Sequence, residues 1–245
     1  MAAVQLAAET LFNIGPLPVT NSLLTTFVVD GIVIAGIIAL NKKFTKKIPG
    51  LFQTAMEYIV DGLYGLTESI SEKHAASIFP WFISFFLFIL IGNWMGLLPG
   101  FGTIGFYAGK DFVPFFRSSA SDINTTLAFA LIATVATQVL AVKKVGVKGH
   151  LARYFSLNPI LLFVGLLEIL SIFTNIISLS FRLFGNIFAG EVVLNTVSSM
   201  FAFLLPLPFM SLEIIVGLVQ ALVFAILTMA FMAILTTPHS EGGEH

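Results

Sequence analysis

A chain of 245 residues that is 57% hydrophobic and only 10% charged, with a mean hydropathy of +0.98, cannot coat a water-soluble particle, since an average globular domain carries roughly 25% charged residues. Twelve Lys and Arg and a net charge of -1 give no electrostatic basis for holding nucleic acid. The absence of Cys excludes disulfide scaffolds, thiolate metal sites and cysteine nucleophiles, and the four His have no zinc-ligand spacing, so no cofactor or metal is expected. The fold class expected is an all-α membrane protein in a lipid bilayer.

Residues 1–21 hold no Lys or Arg and lack the basic start and apolar core of a secretory signal, so they read as a mature, external N-terminus. The first apolar run, 22–41, is long enough to cross a hydrocarbon core of roughly 30 Å and carries Asp30 at its centre. Residues 50–72 change period. Phe52, Met56, Ile59, Leu63, Leu66 and Ile70 share one helical face opposite Glu57, Asp61, Glu68 and Glu72, which predicts an amphipathic surface helix. A second span covers 78–98 and runs into Pro99-Gly100-Phe101-Gly102; a third covers 125–142.

Lys42, Lys43, Lys46 and Lys47 follow the first span, and Lys143, Lys144, Lys148 and Arg153 follow the third. The positive-inside rule places both clusters in the cytoplasm and the N-terminus outside. The 99–123 loop is then external, where Lys110 and Arg117 are balanced by Asp111 and Asp122.

From 157 to 205 the chain stays apolar with no proline between Pro159 and Pro206. As one helix it would be on the order of 70 Å long, more than twice the hydrocarbon thickness, so it must be strongly tilted or else break into two upright spans near Gly185-Asn186. The helix-compatible pattern around Arg182 favours one tilted helix. Leu205-Pro206-Leu207-Pro208 is read as the turn that reverses the chain; 211–236 forms the last helix and 237–245 a polar tail. The expected total is about five crossings and one surface helix, all in a single membrane domain, 1–245.

Ionisable groups inside hydrocarbon cost between about 2.5 and 17 kcal/mol for an arginine, so each is a functional hypothesis. Asp30, Glu168, Arg182, Glu191 and Glu213 are the candidates. One reading is a structural ion pair in which Glu168 or Glu191 neutralises Arg182. At 100° per residue, however, Asn175, Ser178, Arg182 and Asn186 fall within about 40° of one line, with Glu168 on the same side, while Glu191 lies on the opposite face. Glu213 and Gln220 share a face of the last helix, with Gly217 between them. Carboxylates can take up and release protons while Asn, Gln and Ser hold the intervening waters. Arginine stays protonated and so can only attract a carboxylate or repel a cation. Acids on two polar routes with one fixed positive charge between them suit two half-channels kept apart.

The stretch Ser180-Phe181-Arg182-Leu183-Phe184-Gly185-Asn186-Ile187-Phe188-Ala189-Gly190-Glu191 closely resembles the subunit a family of rotary F-type ATP synthases, supported by Trp94-Met95-Gly96-Leu97-Leu98-Pro99-Gly100, Asp122-Ile123-Asn124-Thr125-Thr126-Leu127 and Gln220-Ala221-Leu222-Val223-Phe224. The resemblance implies a proton-conducting stator subunit. Its last two helices would form a long tilted hairpin against the c-ring, with Arg182 facing the ring carboxylates. Asn186, Glu191 and Gln220 would line the ion path and Glu168 would be the acid before the arginine; b-type peripheral-stalk subunits are implied partners. Glu213 departs from the family pattern, in which His is common, and would bring two carboxylates face to face, sharing a proton or separated by water. Asp30 matches no family role; it is expected to pair with a polar neighbour or face another subunit. The chain has no Gly-rich phosphate loop with a Lys, so no nucleotide site is expected and the subunit is non-catalytic. A bacterial plasma membrane is the expected location, with the C-terminus cytoplasmic; an organelle membrane also fits. The rival reading is a self-contained ion channel or secondary transporter with a carboxylate-lined site.

Overall fold

The computed structural model describes residues 8–15, 17–44, 50–98, 104–108, 111–154, 159–200 and 205–237. The Gly-rich stretch after the second span, Lys46 and Lys47, Lys110, both extreme ends of the long apolar run and nearly all of the polar tail lie outside those residues. In chain order the elements are β1 (Thr10–Ile14), β2 (Leu17–Thr20), α1 (Asn21–Lys43), α2 (Leu51–Ile70), α3 (Ala75–Met95), β3 (Gly105–Ala108), β4 (Asp111–Pro114), α4 (Ile123–Val145), α5 (Val147–Tyr154), α6 (Pro159–Met200) and α7 (Pro206–Thr236). Five of them, α1, α3, α4, α6 and α7, are long and apolar enough to cross a membrane. The protein is a multi-pass helical membrane protein to which two small antiparallel hairpins, β1-β2 and β3-β4, are added.

Local chemistry fixes the helix starts. The Thr20 hydroxyl accepts from the Leu23 N–H and opens α1, and the Asp122 carboxylate accepts from the Asn124 N–H and opens α4, each satisfying a donor that the first turn leaves without a partner. Pro206 and Pro208 do not form the expected reversing turn. They sit in the first turn of α7, where a missing N–H costs nothing and the fixed φ suits a helix.

α6 runs unbroken for 42 residues, so the alternative of two upright spans joined at Gly185-Asn186 is not what forms. At 1.5 Å per residue it is about 63 Å long, and it cannot stand upright in a hydrocarbon core of roughly 30 Å. α3 packs on α7, and α4 packs on both α6 and α7. Ile78, Phe82, Ile89, Leu183, Met229 and Met232 fill the centre. Ala130, Ala133, Ala136, Ala221 and Ala225 let the backbones approach. A polar clasp joins α3 to α7: Asn93 Nδ2 donates to the Gly217 carbonyl at 3.1 Å and Trp94 Nε1 to that of Ile214 at 3.1 Å. A Cβ on Gly217 would stand 3.2 Å from Asn93 Cβ, so the glycine is what admits the clasp.

The surface helix α2 covers only part of its apolar face. Leu63, Leu66 and Ile70 pack against the core, whereas Phe52 and Ile59 remain exposed. The short helix α5, whose sequence VKGHLARY is neither long nor apolar, was not expected. α1 stands at the edge of the bundle and is held by polar contacts at its first turns. Ser22 Oγ donates to Asp122 Oδ2 at 3.0 Å, and Thr25 Oγ1 accepts from the Arg117 N–H at 3.2 Å.

Candidate functional site

Among the described residues, hollows line α6 in at least three places. The first, of about 320 Å³, is bounded by Asn93, Arg117, Ser118, Glu191, Asn195 and Glu213 among others. The second, of about 180 Å³, takes in Thr137, Gln138, Glu168, Asn175, Thr228 and Phe231. The third, of about 410 Å³, is an open groove along the outer faces of α6 and α7 that holds Thr174, Asn175, Ser178 and Arg182. Glu168 and Glu191 stand 23 residues apart on one helix, an axial distance of about 35 Å, so the first two hollows lie toward opposite ends of the bundle.

Arg182 occupies the exposed side of α6. Its placement follows from the residues on either side: Leu179 and Leu183 are buried, and Ser180 Oγ meets Thr126 Oγ1 of α4 at 3.1 Å, so the arginine, 200° round from Ser180, faces away from the bundle. Its guanidinium donates to Ser178 Oγ at 3.3 Å, and among the described residues no carboxylate lies within ion-pair distance of it. The alternative reading, a structural pair of Arg182 with Glu168 or Glu191, is therefore not what forms. Each acid has its own arginine instead. Arg153 Nε lies 2.6 Å from Glu168 Oε1, and Arg117 Nε lies 3.5 Å from Glu191 Oε1.

The Glu168 hollow is built by chain reversal. α5 folds back across the end of the bundle so that Arg153 reaches Glu168, and its Nη1 also donates to the Ile234 carbonyl of α7 at 3.4 Å. Gly165 makes room, because a Cβ there would overlap the Tyr154 carbonyl. Tyr154 donates its hydroxyl to Gln138 Oε1 at 3.3 Å, and His150 packs edge-on against the Tyr154 ring, with centroids 5.2 Å apart. Burial pushes the His150 imidazole below its ordinary range; the Arg153 charge acts in the same direction and Glu168 opposes it. Burial likewise pushes the Tyr154 phenol up. Asn175 belongs to both this hollow and the groove of Arg182, so the two adjoin along one face of α6.

In the Glu191 hollow two carboxylates meet. Glu213 is buried and presses on Gly190, where any Cβ would overlap its carboxylate oxygens. Among the described residues it has neither an ion pair nor a hydrogen bond. Glu191 Oε2, Asn93 Oδ1 and Ser118 Oγ are buried without a protein partner, and all three residues line this hollow. A polar cavity of that size with unsatisfied acceptors is a seat for water.

The remaining site residues named from the sequence are less engaged. Asn186 is exposed on the Arg182 side of α6, Gln220 is half-buried on α7, and neither borders these three hollows. Asp30 is half-buried in the middle of α1 and has no polar partner among the described residues. Sequence reasoning missed Arg117 and Arg153 as site residues. It balanced Arg117 against Asp111 and Asp122, but Asp122 caps α4 and accepts from Ser22, while Arg117 turns inward to Glu191. A clue was present, since Arg117 follows Phe115-Phe116 and precedes Ser-Ser-Ala-Ser, an apolar and small-residue setting unusual for a solvated charge.

Comparison with known proteins covers nearly all of these features. The family model for the ATP synthase A chain matches residues 23–233. The curated ATP synthase subunit a of Moorella thermoacetica is 31% identical over 223 residues, 91% of this chain and 94% of that protein. The ATP synthase subunit a of Gloeobacter violaceus is 34% identical over 242 residues, 98% and 94% of the two chains. With the match running from the first span through both acid-lined hollows and Arg182 to the end of the last helix, the chain belongs to the ATP synthase A chain family.

Proposed function

We propose that this stator subunit conducts protons through two offset half-channels: the Glu191 hollow opens to the external side, and the Glu168 hollow opens to the cytoplasm. The observation that carries the reading is the isolation of Arg182, a permanent cation with no carboxylate partner among the described residues, exposed in a groove between two acid-lined hollows. A charge at membrane depth without a counter-ion is costly, so a carboxylate brought from outside the chain stabilises it. Successive carboxylates of a rotating c-ring supply that partner in turn.

A proton taken up through one half-channel neutralises a ring carboxylate, which then enters lipid. A carboxylate arriving by rotation gives up its proton to the other half-channel and is held, ionised, by Arg182. Ser178 and Asn175 align the guanidinium side of the route, with Asn186 and Gln220 further along it. Because the guanidinium cannot release its proton, it blocks direct leakage between the hollows, and flux is forced through rotation. Each charge crossing the potential contributes about 2.3 kcal/mol per 100 mV, so several protons are needed per ATP. Phosphoryl chemistry belongs to other subunits, and the chain itself is non-catalytic. Lys42, Lys143, Lys144 and Arg153 at one end of the bundle support an N-terminus outside and a C-terminus in the cytoplasm of a bacterial plasma membrane. The c-ring and b-type peripheral-stalk subunits are the partners.

The test is ATP-driven acidification of vesicles carrying the assembled complex with Arg182→Ala beside wild type, assembly being confirmed by subunit content. Pumping is expected to disappear while assembly persists. Pumping near the wild-type rate, or ion transport by the chain purified alone, would overturn the reading in favour of a packing charge or a self-contained transporter.

A further inference from the structure

Arg117 has no task in that scheme, yet it is the one buried Lys or Arg among the described residues. Three separate elements fix it. Its backbone N–H donates to Thr25 Oγ1 of α1 at 3.2 Å. Its Nε donates to Ser121 Oγ at 2.9 Å, and that hydroxyl is itself oriented by donating to the Ser118 carbonyl at 2.9 Å. The same nitrogen faces Glu191 Oε1 at 3.5 Å. With its backbone tied to α1 and its side chain tied to its own turn, Arg117 cannot follow a moving partner; it holds Glu191 to one wall of the hollow.

Glu213 enters the same hollow from α7, against Gly190, one residue before Glu191. Among the described residues, the charged groups around the hollow are Arg117 from the segment preceding α4, Glu191 from α6 and Glu213 from α7; α3 contributes the neutral Asn93. Two carboxylates lining one cavity cannot both ionise cheaply unless a cation is present. One guanidinium offsets one of them, and geometry decides which.

Building on the half-channel reading, we infer that Arg117 is a positioning residue that divides the work of the two acids. It keeps Glu191 as its fixed anionic partner and leaves Glu213 as the carboxylate that takes up and gives up the travelling proton. In the uptake step an O–H bond forms on Glu213 as one breaks on a hydronium ion, leaving water. In the delivery step the Glu213 O–H breaks as an O–H forms on the ring carboxylate. Arg117 exchanges no proton. Glu191 Oε2, Asn93 Oδ1 and Ser118 Oγ, each lacking a protein partner, seat the water through which the proton arrives.

The experiment reads ATP-driven acidification against pH, over about pH 5.5 to 8.5, in vesicles carrying the whole complex with Arg117→Gln, Arg117→Lys or Arg117→Gln/Glu191→Gln. Removing the positive charge raises the proton affinity of both acids, so Arg117→Gln should move the profile to higher pH by about one unit or more. Arg117→Lys should restore most of the wild-type position. The double variant should return toward wild type, because a neutral pair again leaves a single titrating carboxylate. An assembled Arg117→Gln complex with an unmoved profile overturns the inference, as does a lysine variant no better than glutamine. Should Arg117→Gln fail to assemble, recovery of subunit content in the double variant supports the pair, and failure of the double variant as well assigns Arg117 to structure alone and overturns it. Arg182→Ala measured in parallel separates the two ideas. If pumping survives that change, the half-channel reading falls; if pumping is lost there while Arg117→Gln leaves the profile in place, only the division of work falls.

Discussion

The two acid-lined hollows differ in how their charges are balanced. At Glu168 one carboxylate meets one guanidinium at 2.6 Å, in a space of about 180 Å³ whose walls include Ala133, Ile172, Leu179 and Phe231. Around the other hollow stand two carboxylates and one guanidinium, which pairs with Glu191 in a looser contact at 3.5 Å, and the space is about 320 Å³. A matched pair resists protonation, because neutralising the acid strands a cation. An unmatched acid strands no cation when it takes up a proton, and its ionised form has no fixed partner to hold it. On the proposed half-channel reading, the difference fits the Glu191 hollow to hold an exchangeable proton and the Glu168 hollow to pass protons beside a charge pair that stays closed.

The comparison can be broken most decisively at Arg153. Arg153→Leu leaves Glu168 in a largely enclosed place without its cation, and breaking such a pair costs on the order of 3 kcal/mol. Thermal unfolding of the detergent-extracted complex should show the loss, and Arg153→Leu/Glu168→Leu should recover most of it. A single variant as stable as wild type would mean the two hollows do not differ in this respect. A smaller effect is expected at Gly190. In Gly190→Ala the new methyl group displaces the Glu213 carboxylate, and misplacing a proton-transfer group should slow pumping by on the order of tenfold or more. The shorter side chain of Glu213→Asp, added to that variant, should return part of the rate. Unimpaired pumping in Gly190→Ala would remove Glu213 from the path.

The smallest effect concerns His150, beside the matched pair. Its folded-state proton affinity is lowered by burial and then by Arg153, so the unfolded chain binds a proton more readily. The stability that the neutral imidazole contributes is present above the ordinary histidine value of about 6.5 and is lost as pH falls through it toward the lower folded value. Unfolding temperatures measured above and below that point should therefore separate less for His150→Gln than for wild type. Equal separation would place the acid sensitivity elsewhere.

What could be read from the sequence was whatever depends on one helix at a time. Length and apolarity locate the five crossing helices, and a 100° step puts Asn175, Ser178 and Arg182 on one face and Glu191 on the other, because those relations are fixed within a single rigid element. The arginine partners are another matter. Arg117 and Glu191 lie 74 residues apart, and Arg153 reaches Glu168 only because α5 folds back over Gly165. Neither relation has a periodic signature. α5 is eight residues of mixed polarity, below the length at which a hydrophobic pattern repeats enough to be seen. Pro206 and Pro208 misled for a simpler reason: proline marks a turn and the first turn of a helix equally well, and the residues that would decide between them contribute no pattern.

The unbroken course of α6 has a consequence for how such a chain can change over generations. Glu168, Arg182 and Glu191 keep their relative directions only through the count of residues between them. One residue inserted between Glu168 and Arg182 would advance the far part by about 1.5 Å and turn it through about 100°, swinging the arginine to the buried direction now held by Leu183 and turning Glu191 by the same angle. Side chains along this helix can be exchanged one by one, but its length cannot be edited in small steps; shortening and lengthening are confined to the connections on either side of it.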